Sequence, residues 1–241
     1  MTTIELGASV RLSRVGDFGR AGDDPAMVPP VDIVGRFPKG AANFRCGPEG
    51  TWYATVEELA KVVEAGKTVK RPRHRIHWLD RDRVIRRAEG LRVFHEAAFA
   101  DDVALLSGDR GKLYELPLDS GRVVEVPIEG CAFGDRARLW EIYFLNDHRV
   151  VIHADDELII ATRTDKGLAF RARVPFEGAI AVLGGRFLVG GTDSIRAIDL
   201  ATDEAVEAGS STRIGVGSFW YAPGRLRTYS QEDGAWEISL F

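Results

Sequence analysis

Four stretches of the chain repeat the same order of short alternating apolar runs, separated by turns rich in Asp, Gly and Ser. They begin at Val103, Val150, Phe187 and Leu226, so the spacings are 47, 37 and 39 residues, with a mean of 41. The first reads VALLSGDRGKLYELPLDSGRVVEV, and the last, LRTYSQEDGAWEISLF, holds fewer runs. Short alternating runs bounded by such turns are typical of antiparallel strands. The repeat therefore predicts several small sheets of similar size.

An apolar run precedes each repeat and completes a four-stranded unit. These runs are LRVFHEAAF from Leu91, LWEIYFL from Leu139, AIAVLGG from Ala179 and IGVGSFWYA from Ile214. Four strands at a period near 40 residues are typical of a β-propeller blade. Packing blades around an axis covers their faces and leaves only short outer edges. We therefore predict an all-β fold, a five-bladed β-propeller, with six blades or an incomplete ring as the alternatives.

The repeat also predicts the blade boundaries within one domain over residues 1–241. An irregular first blade is expected over residues 14–90, and the regular blades follow at about residues 91–129, 139–176, 179–209 and 214–241. The last blade lacks an outer strand, and residues 4–13 alternate well enough to supply it. We expect residues 4–13 to run beside residues 235–240 and close the ring, so that truncating either end destabilises the whole ring.

The irregular first blade contains three further local signals. The stretch FRCGPEGTWYA predicts a hairpin around GPEG, and RHRIHWLDRDRVIRRAEG predicts two strands around residues 80–82. The segment before them is a connection rich in Gly, Pro and Asp, with one short extended piece around residues 31–34. TVEELAKVVEAGK predicts an inserted helix over residues 55–66, with Thr55 as its N-cap, Glu58 completing a capping box and Gly66 as its stop.

Two stretches, LYELPLDSGRVVEV and IRAIDLATDEAVEA, resemble blades of the broad quinoprotein-like and WD-repeat-like propellers. In those blades a strand ending in Asp-x-x-Thr/Ser-Gly turns into the outer strand. The resemblance covers roughly residues 91–241. The Gly-His and Trp-Asp pairs of the WD class are missing, and so is the Trp-bearing docking motif of the quinoprotein class. The resemblance implies the fold, and a fold alone does not imply a function.

The charge, the cysteines and the hydrophobic pattern of the chain limit which cellular compartment and which binding partners we expect. The formal charge is −4, from 32 basic and 36 acidic residues, which argues against a nucleic-acid binder that must neutralise phosphates. The basic run over residues 67–87 is interpreted as a solvated strand face or a surface for an acidic protein.

Cys46 and Cys131 are expected to be buried thiols, with a disulfide between them as the alternative. With neither a secretory signal nor a membrane span in the sequence, we predict a cytoplasmic, bacterial protein.

The sequence shows no catalytic, metal-binding or cofactor-binding motif. His74 and His77 lie three residues apart, so in a strand they face opposite sides of the sheet and do not share a metal ion. His153 is expected to be a hydrogen-bonded core histidine. We predict no cofactor and no metal, and enzymatic activity is uncertain, with the balance against it.

Carboxylates and aromatic residues supply the candidate site residues. The acidic pairs Asp101–Asp102 and Asp155–Asp156 are interpreted as ordinary turn carboxylates. Carboxylates expected to reach the central axis are Glu141, Asp102 and Glu96. Aromatic side chains near the central opening are typical of binding hot spots. The predicted partner-binding residues are Trp78, Trp140, Tyr143, Trp220 and Tyr221.

These observations favour a non-enzymatic propeller that binds another protein. One version is an immunity-type inhibitor that caps a toxin or enzyme domain. The alternatives are an enzyme or lectin with a single glycan or small-molecule site at the central cavity, and a scaffold subunit of a larger complex.

Overall fold

The computed structural model describes residues 2–88, 96–108, 111–131, 139–146, 148–202 and 204–241. Within these residues the strands form five sheets of four or five strands each. The sheets are the blades of a five-bladed β-propeller, so the predicted all-β fold and blade number are confirmed. In this described part of the chain, no helix is long and apolar enough to cross a membrane.

The chain begins with a hairpin and a loop. The hairpin strands are β1 (Thr3–Leu6) and β2 (Val10–Gly16), and the loop contains the one-turn helix α1 (Val31–Val34). The extended piece predicted at residues 31–34 was therefore wrong. The amides of Ile33 and Val34 both donate to the Pro30 carbonyl, at 2.9 and 3.0 Å, and close a helical turn.

The first complete blade is an antiparallel sheet in which each strand pairs with the next one along the chain. Its strands are β3 (Ala41–Cys46), β4 (Trp52–Glu64), β5 (Lys67–Leu79) and β6 (Ile85–Arg87). Cys46 lies opposite Trp52, which confirms the hairpin predicted around GPEG. Leu79 lies opposite Ile85, which confirms the two strands predicted around residues 80–82.

The helix predicted over residues 55–66 is wrong. Strand β4 continues to Glu64, the chain turns at Ala65 and Gly66, and β5 returns with Lys67 opposite Glu64. Ala65 and Gly66 have φ angles of 46° and 77°, and two consecutive positive φ angles are the mark of a type I′ hairpin turn. The segment also holds β-branched Thr and Val residues, which favour strands. Pairing along the whole of β5 outweighed the local helical pattern.

Four more blades follow along the chain. The second contains β7 (Ala97–Phe99), β8 (Val103–Ser107), β9 (Leu113–Pro117) and β10 (Val124–Glu125). The third contains β11 (Ile128–Glu129), β12 (Leu139–Phe144), β13 (Arg149–Ala154), β14 (Glu157–Thr164) and β15 (Gly167–Pro175). The fourth contains β16 (Ala179–Leu183), β17 (Phe187–Gly191), β18 (Ile195–Asp199) and β19 (Val206–Ser211). The fifth contains β20 (Ser218–Ala222), β21 (Arg225–Ser230) and β22 (Gly234–Leu240), together with β2 and β1.

The two ends of the chain meet in the fifth blade. Strand β2 pairs antiparallel with β22, from Val10 opposite Leu240 to Arg14 opposite Trp236. One strand had been expected over residues 4–13, but the chain reverses after Leu6 at Gly7, which has a φ of 63°. Strand β1 therefore becomes an outer fifth strand. The pairing with the last strand falls to β2 alone.

Apolar side chains fill the spaces between neighbouring blades. One cluster joins Leu105 of the second blade to Ile152 of the third, and another joins Val151 of the third to Leu188 of the fourth. Strands β3, β7, β12, β16 and β20 are the innermost strands, because they contact one another across blade boundaries. These inner strands surround the axis and place the side chains described next.

Candidate functional site

A cavity of about 290 Å³ lies on the axis between the inner strands. We call it the axial cavity. Its walls combine charged and aromatic side chains from four blades, including Arg45, Tyr53, Glu96, Glu141, Tyr143 and Trp220. Side chains that are far apart in sequence are thus brought into one small space.

Two carboxylates and one arginine form the polar part of the axial cavity. Arg45 makes an ion pair with Glu96, and its guanidinium carbon lies 5.6 Å from the ring centroid of Trp220. Glu141 accepts a hydrogen bond of 2.8 Å from Nδ1 of His153. The expectation that His153 is a hydrogen-bonded core histidine is confirmed, because its side chain is buried.

Glu96 sits in an environment that disfavours its negative charge. Its side chain is 17% exposed. Burial, together with the negative charge of Glu141, raises the pKa of Glu96 to about 7, against the opposing effects of Arg45 and the Tyr53 hydroxyl. A carboxyl group with such a pKa is partly protonated near neutral pH.

Tyr143 and Tyr221 use their hydroxyl groups to connect blades. The Tyr143 hydroxyl donates to the carbonyl of Ile180 at 3.1 Å. The Tyr221 hydroxyl accepts from the amide of Val182 at 2.7 Å and donates to its carbonyl at 2.9 Å. Both tyrosines, whose ring centroids are 6.0 Å apart, therefore bind strand β16 from strands β12 and β20.

The three candidate tryptophans lie in different environments. Trp220 is half-buried and lines the axial cavity with Tyr143 and Tyr221. Trp78 is 1% exposed and packs against Phe99, with ring centroids 6.3 Å apart, so its side chain offers no surface to a partner. Trp140 belongs to β12, and its side chain lies outside the described residues.

A larger cavity, of about 820 Å³, holds the remaining carboxylate candidate. Asp102 lines this second cavity and pairs with Arg163 at 3.1 Å, while Arg163 also reaches Glu115 at 3.2 Å. Of the three carboxylates expected at the axis, only Glu96 and Glu141 share the axial cavity. Asp102 is directed elsewhere because its loop lies at the opposite end of the inner strand β7 from Glu96.

Sequence reasoning missed Arg45 and Tyr53 as site residues. Both lie in the hairpin FRCGPEGTWYA, in the blade that does not copy the repeat. Aligning this hairpin with the inner strands of the regular blades is the signal that would have found Arg45.

The cysteines are both free thiols. Cys46 is buried at the wall of the axial cavity, and burial raises the pKa of its thiol to about 12. Cys131 is half-buried rather than buried as expected. Among the residues that the structure describes, no group of three or more His, Cys, Asp or Glu side chains is arranged to hold a metal ion.

A second feature lies away from the axis. Strand β3 pairs with β4 as far as Val56, and β6 pairs with β5 as far as His77. Beyond these points residues 57–75 form a two-stranded ribbon: residues 57–74 pair only with each other in the described part of the chain, and Arg75 lies opposite Val56 at the base. We call this two-stranded ribbon the arm. With eight residues in the first strand and a rise of about 3.3 Å per residue, it extends roughly 26 Å from the blade.

The arm carries exposed apolar and basic side chains on one face. Leu59 and Val63 are 66% and 74% exposed, and they flank Lys61, because alternate residues of a strand share a face. Lys61 lies directly opposite Lys70. Residues 57–75 contain six basic and three acidic residues, so the arm carries a formal charge of +3 in a chain whose total is −4.

Comparison with known proteins shows the fold alone. No protein-family model matches the chain, and no curated protein matches it. Among solved structures, the β-propeller domain of Cps50 (Swd1) from Myceliophteria thermophila is similar, with a TM-score of 0.51 and 12% sequence identity. The alignment covers 80% of this chain and 63% of that chain, so this chain spans less than two thirds of the propeller it matches.

Proposed function

We propose that this chain is a protein-binding β-propeller that docks an acidic partner through the arm. The observation that carries the proposal is the arm itself, a two-stranded ribbon whose outer edges pair with no other described strand. Such edges are templates for an added strand from another protein. The exposed Leu59 and Val63 side chains provide apolar contact area beside those edges.

Charge selects the class of partner. Like charges directly opposite each other destabilise a pair of strands, and the arm places Lys61 opposite Lys70. An acidic segment lying across this pair relieves the repulsion. The arm is basic, whereas the remainder of the chain carries a formal charge of −7, so an acidic partner is attracted to the arm and repelled elsewhere.

The proposal includes finer versions. In one, the protein is an immunity-type inhibitor of the bacterial cytoplasm, and the arm caps a toxin or enzyme domain. In another, it is a scaffold subunit, and the arm anchors it in a larger complex. The two versions differ in whether the bound partner loses an activity.

The test compares two charge-reversal variants in affinity capture from the native lysate. In the arm variant, Lys61→Glu, Lys67→Glu and Lys70→Glu reverse three exposed charges. In the control variant, Lys39→Glu, Lys166→Glu and Arg213→Glu reverse three exposed charges outside the arm. Both variants have the same net charge, so a difference between them reports the position of the charges.

The proposal predicts that a stoichiometric acidic partner is captured by the wild type and by the control variant, and is lost from the arm variant. Capture should weaken steeply with salt, because the ion pairs are exposed. Equal capture by both variants would show that the arm is not the docking element. Loss of a toxin's activity on binding would select the inhibitor version.

A further inference from the structure

The axial cavity is a second site, independent of the arm. Its charged lining, within the residues that the structure describes, consists of Arg45, Glu96 and Glu141. Arg45 is already engaged by Glu96. The negative charge of Glu141 meets the ring of His153 rather than a permanent cation. When Glu96 is ionised, the polar wall therefore carries two negative charges against the one positive charge of Arg45.

The hydrogen bonds of the wall residues also favour a ligand that donates hydrogen bonds. The hydroxyls of Tyr143 and Tyr221 are used by the backbone of β16, and Nη1 of Arg45 donates to Glu96. Each carboxylate has more acceptor sites than these contacts fill, because an ionised carboxylate accepts about four hydrogen bonds. The cavity thus offers carboxylate acceptors to a ligand, and the charge of Arg45 is already paired with Glu96.

Aromatic rings form the apolar part of the wall. Tyr53, Tyr143, Phe219, Trp220 and Tyr221 line the axial cavity. Aromatic faces attract cations and also pack against alkyl chains. A volume of about 290 Å³ lies at the lower end of the range for small-molecule pockets, so the ligand group is small.

We propose that the axial cavity binds an alkylammonium group, with Glu141 and Glu96 accepting its N–H donors and the aromatic wall holding its alkyl chain. The group belongs either to a free primary amine or to a lysine side chain of another protein. An anionic ligand does not fit, because it meets two carboxylates and an arginine that is already paired. A neutral alcohol of the same size fills the cavity but leaves the surplus charge uncompensated.

The test uses n-butylammonium chloride as the probe and n-butanol as its neutral match, titrated into the intact protein at constant ionic strength. Binding is followed by calorimetry and by tryptophan fluorescence, because Trp220 lines the cavity. We expect saturable binding of the amine, at least about tenfold tighter than the alcohol, since a hydrogen bond to a charged group is the stronger kind. This comparison needs no variant.

Variants then locate the site. Glu141→Gln should weaken amine binding about tenfold or more, whereas Glu157→Gln, which changes a carboxylate of the same blade that pairs with Arg173, should leave it unchanged. A second pair of probes, N-acetyl-lysinamide and N-acetyl-norleucinamide, distinguishes a lysine side chain from a free amine as the source of the alkylammonium group. Binding of the lysine compound identifies a protein side chain as the ligand, and binding of butylammonium alone identifies a free amine.

Equal binding of amine and alcohol, unchanged binding by Glu141→Gln, or no saturable amine binding would each overturn the proposal. The arm charge-reversal variant should bind the amine as the wild type does. Failure of the axial site is thereby distinguishable from failure of the proposed docking function.

Discussion

Asp24 and Arg227 form an ion pair in the interior of the fifth blade, where Nη1 of Arg227 donates to Oδ2 of Asp24 at 2.5 Å. The two residues are 203 positions apart in the chain and are only 1% and 7% exposed. Tyr229 donates to the same carboxylate oxygen at 2.8 Å. This contact fastens the loop before α1 onto β21.

Replacing Asp24 should destabilise the protein strongly. Asp24→Asn leaves the Arg227 charge buried with Glu237 as its remaining ion-pair partner, and breaking a buried pair costs about 3–5 kcal/mol. Chemical denaturation should show this loss. The exposed pair of Asp23 and Arg20 supplies the control, because Asp23→Asn should cost less than about 1 kcal/mol. Equal costs would contradict a buried role for Asp24.

We expect the Asp24 carboxylate to stabilise the protein by an amount that is lost in acid. Burial alone raises the pKa of Asp24, but hydrogen bonds from Arg227 and Tyr229 outweigh it and hold the pKa below its usual value. Because the folded-state pKa is the lower one, the stabilisation is present above a pH of about 4 and is lost as the pH falls through the lowered pKa. Asp24→Asn should therefore flatten the acid limb of the stability curve, measured by denaturation as a function of pH.

Packing of the N-terminal hairpin against the fourth blade predicts a glycine requirement. A Cβ on Gly209 would lie 2.3 Å from the amide nitrogen of Gly7 and 2.6 Å from the Leu6 carbonyl carbon. Gly209→Ala should thus force β1 away from β19 and cost about 1–3 kcal/mol. Gly22→Ala, which meets nothing within 4 Å, should change the free energy of unfolding by less than about 0.5 kcal/mol. Matching effects of the two variants in thermal denaturation would contradict the close packing.

Glu96 predicts a decline of stability with rising pH. Its pKa is about 7 in the folded protein and about 4.3 in an unfolded chain. Between these values the folded state holds a proton that the unfolded state has lost, so stability falls as the pH rises, by about 4 kcal/mol across the window. Glu96→Gln should remove this decline, and Glu157→Gln should retain it. Parallel stability curves for the wild type and Glu96→Gln would be the contrary result.

Substitutions in the turn of the arm should change the stability of its strand pairing, as they do in other hairpins. Asn-Gly is the preferred pair for a type I′ turn, so Ala65→Asn should slow amide hydrogen exchange in the arm a few-fold. Ala65→Val should speed it, because β-branched residues tolerate a positive φ poorly. Helical chemical shifts over residues 55–66 in either variant would contradict the hairpin.

The propeller was predictable from the sequence because the repeat is local and regular. Each repeat of alternating runs indicates one blade, and the apolar run before it supplies the inner strand. The repeats start at Val103, Val150, Phe187 and Leu226. This logic also located Glu96, Glu141, Tyr143 and Trp220 near the axis. It did not assign the tyrosine hydroxyls to backbone groups of β16, since such contacts depend on the rotation between neighbouring blades.

The first blade could not be predicted in the same way. Its segment TVEELAKVVEAGK fits a helical pattern as well as a strand, and pairing between Tyr53 and Trp78, 25 positions apart, decides between them. A pattern read over a few neighbouring residues does not show which distant strand will pair with this segment. Arg45 was missed for the same reason, because the irregular blade gave no alignment that would place it on the axis.

The most direct test of the docking account is site-specific photo-crosslinking from the arm in the native cell. A photoreactive phenylalanine analogue replaces Val63, 74% exposed on the arm, or Val206, 57% exposed on the outer strand β19. The account predicts a crosslink from position 63 to an acidic segment of one protein, identified by mass spectrometry, and none to that protein from position 206. A crosslink to the same protein from position 206 but not from position 63 would contradict it.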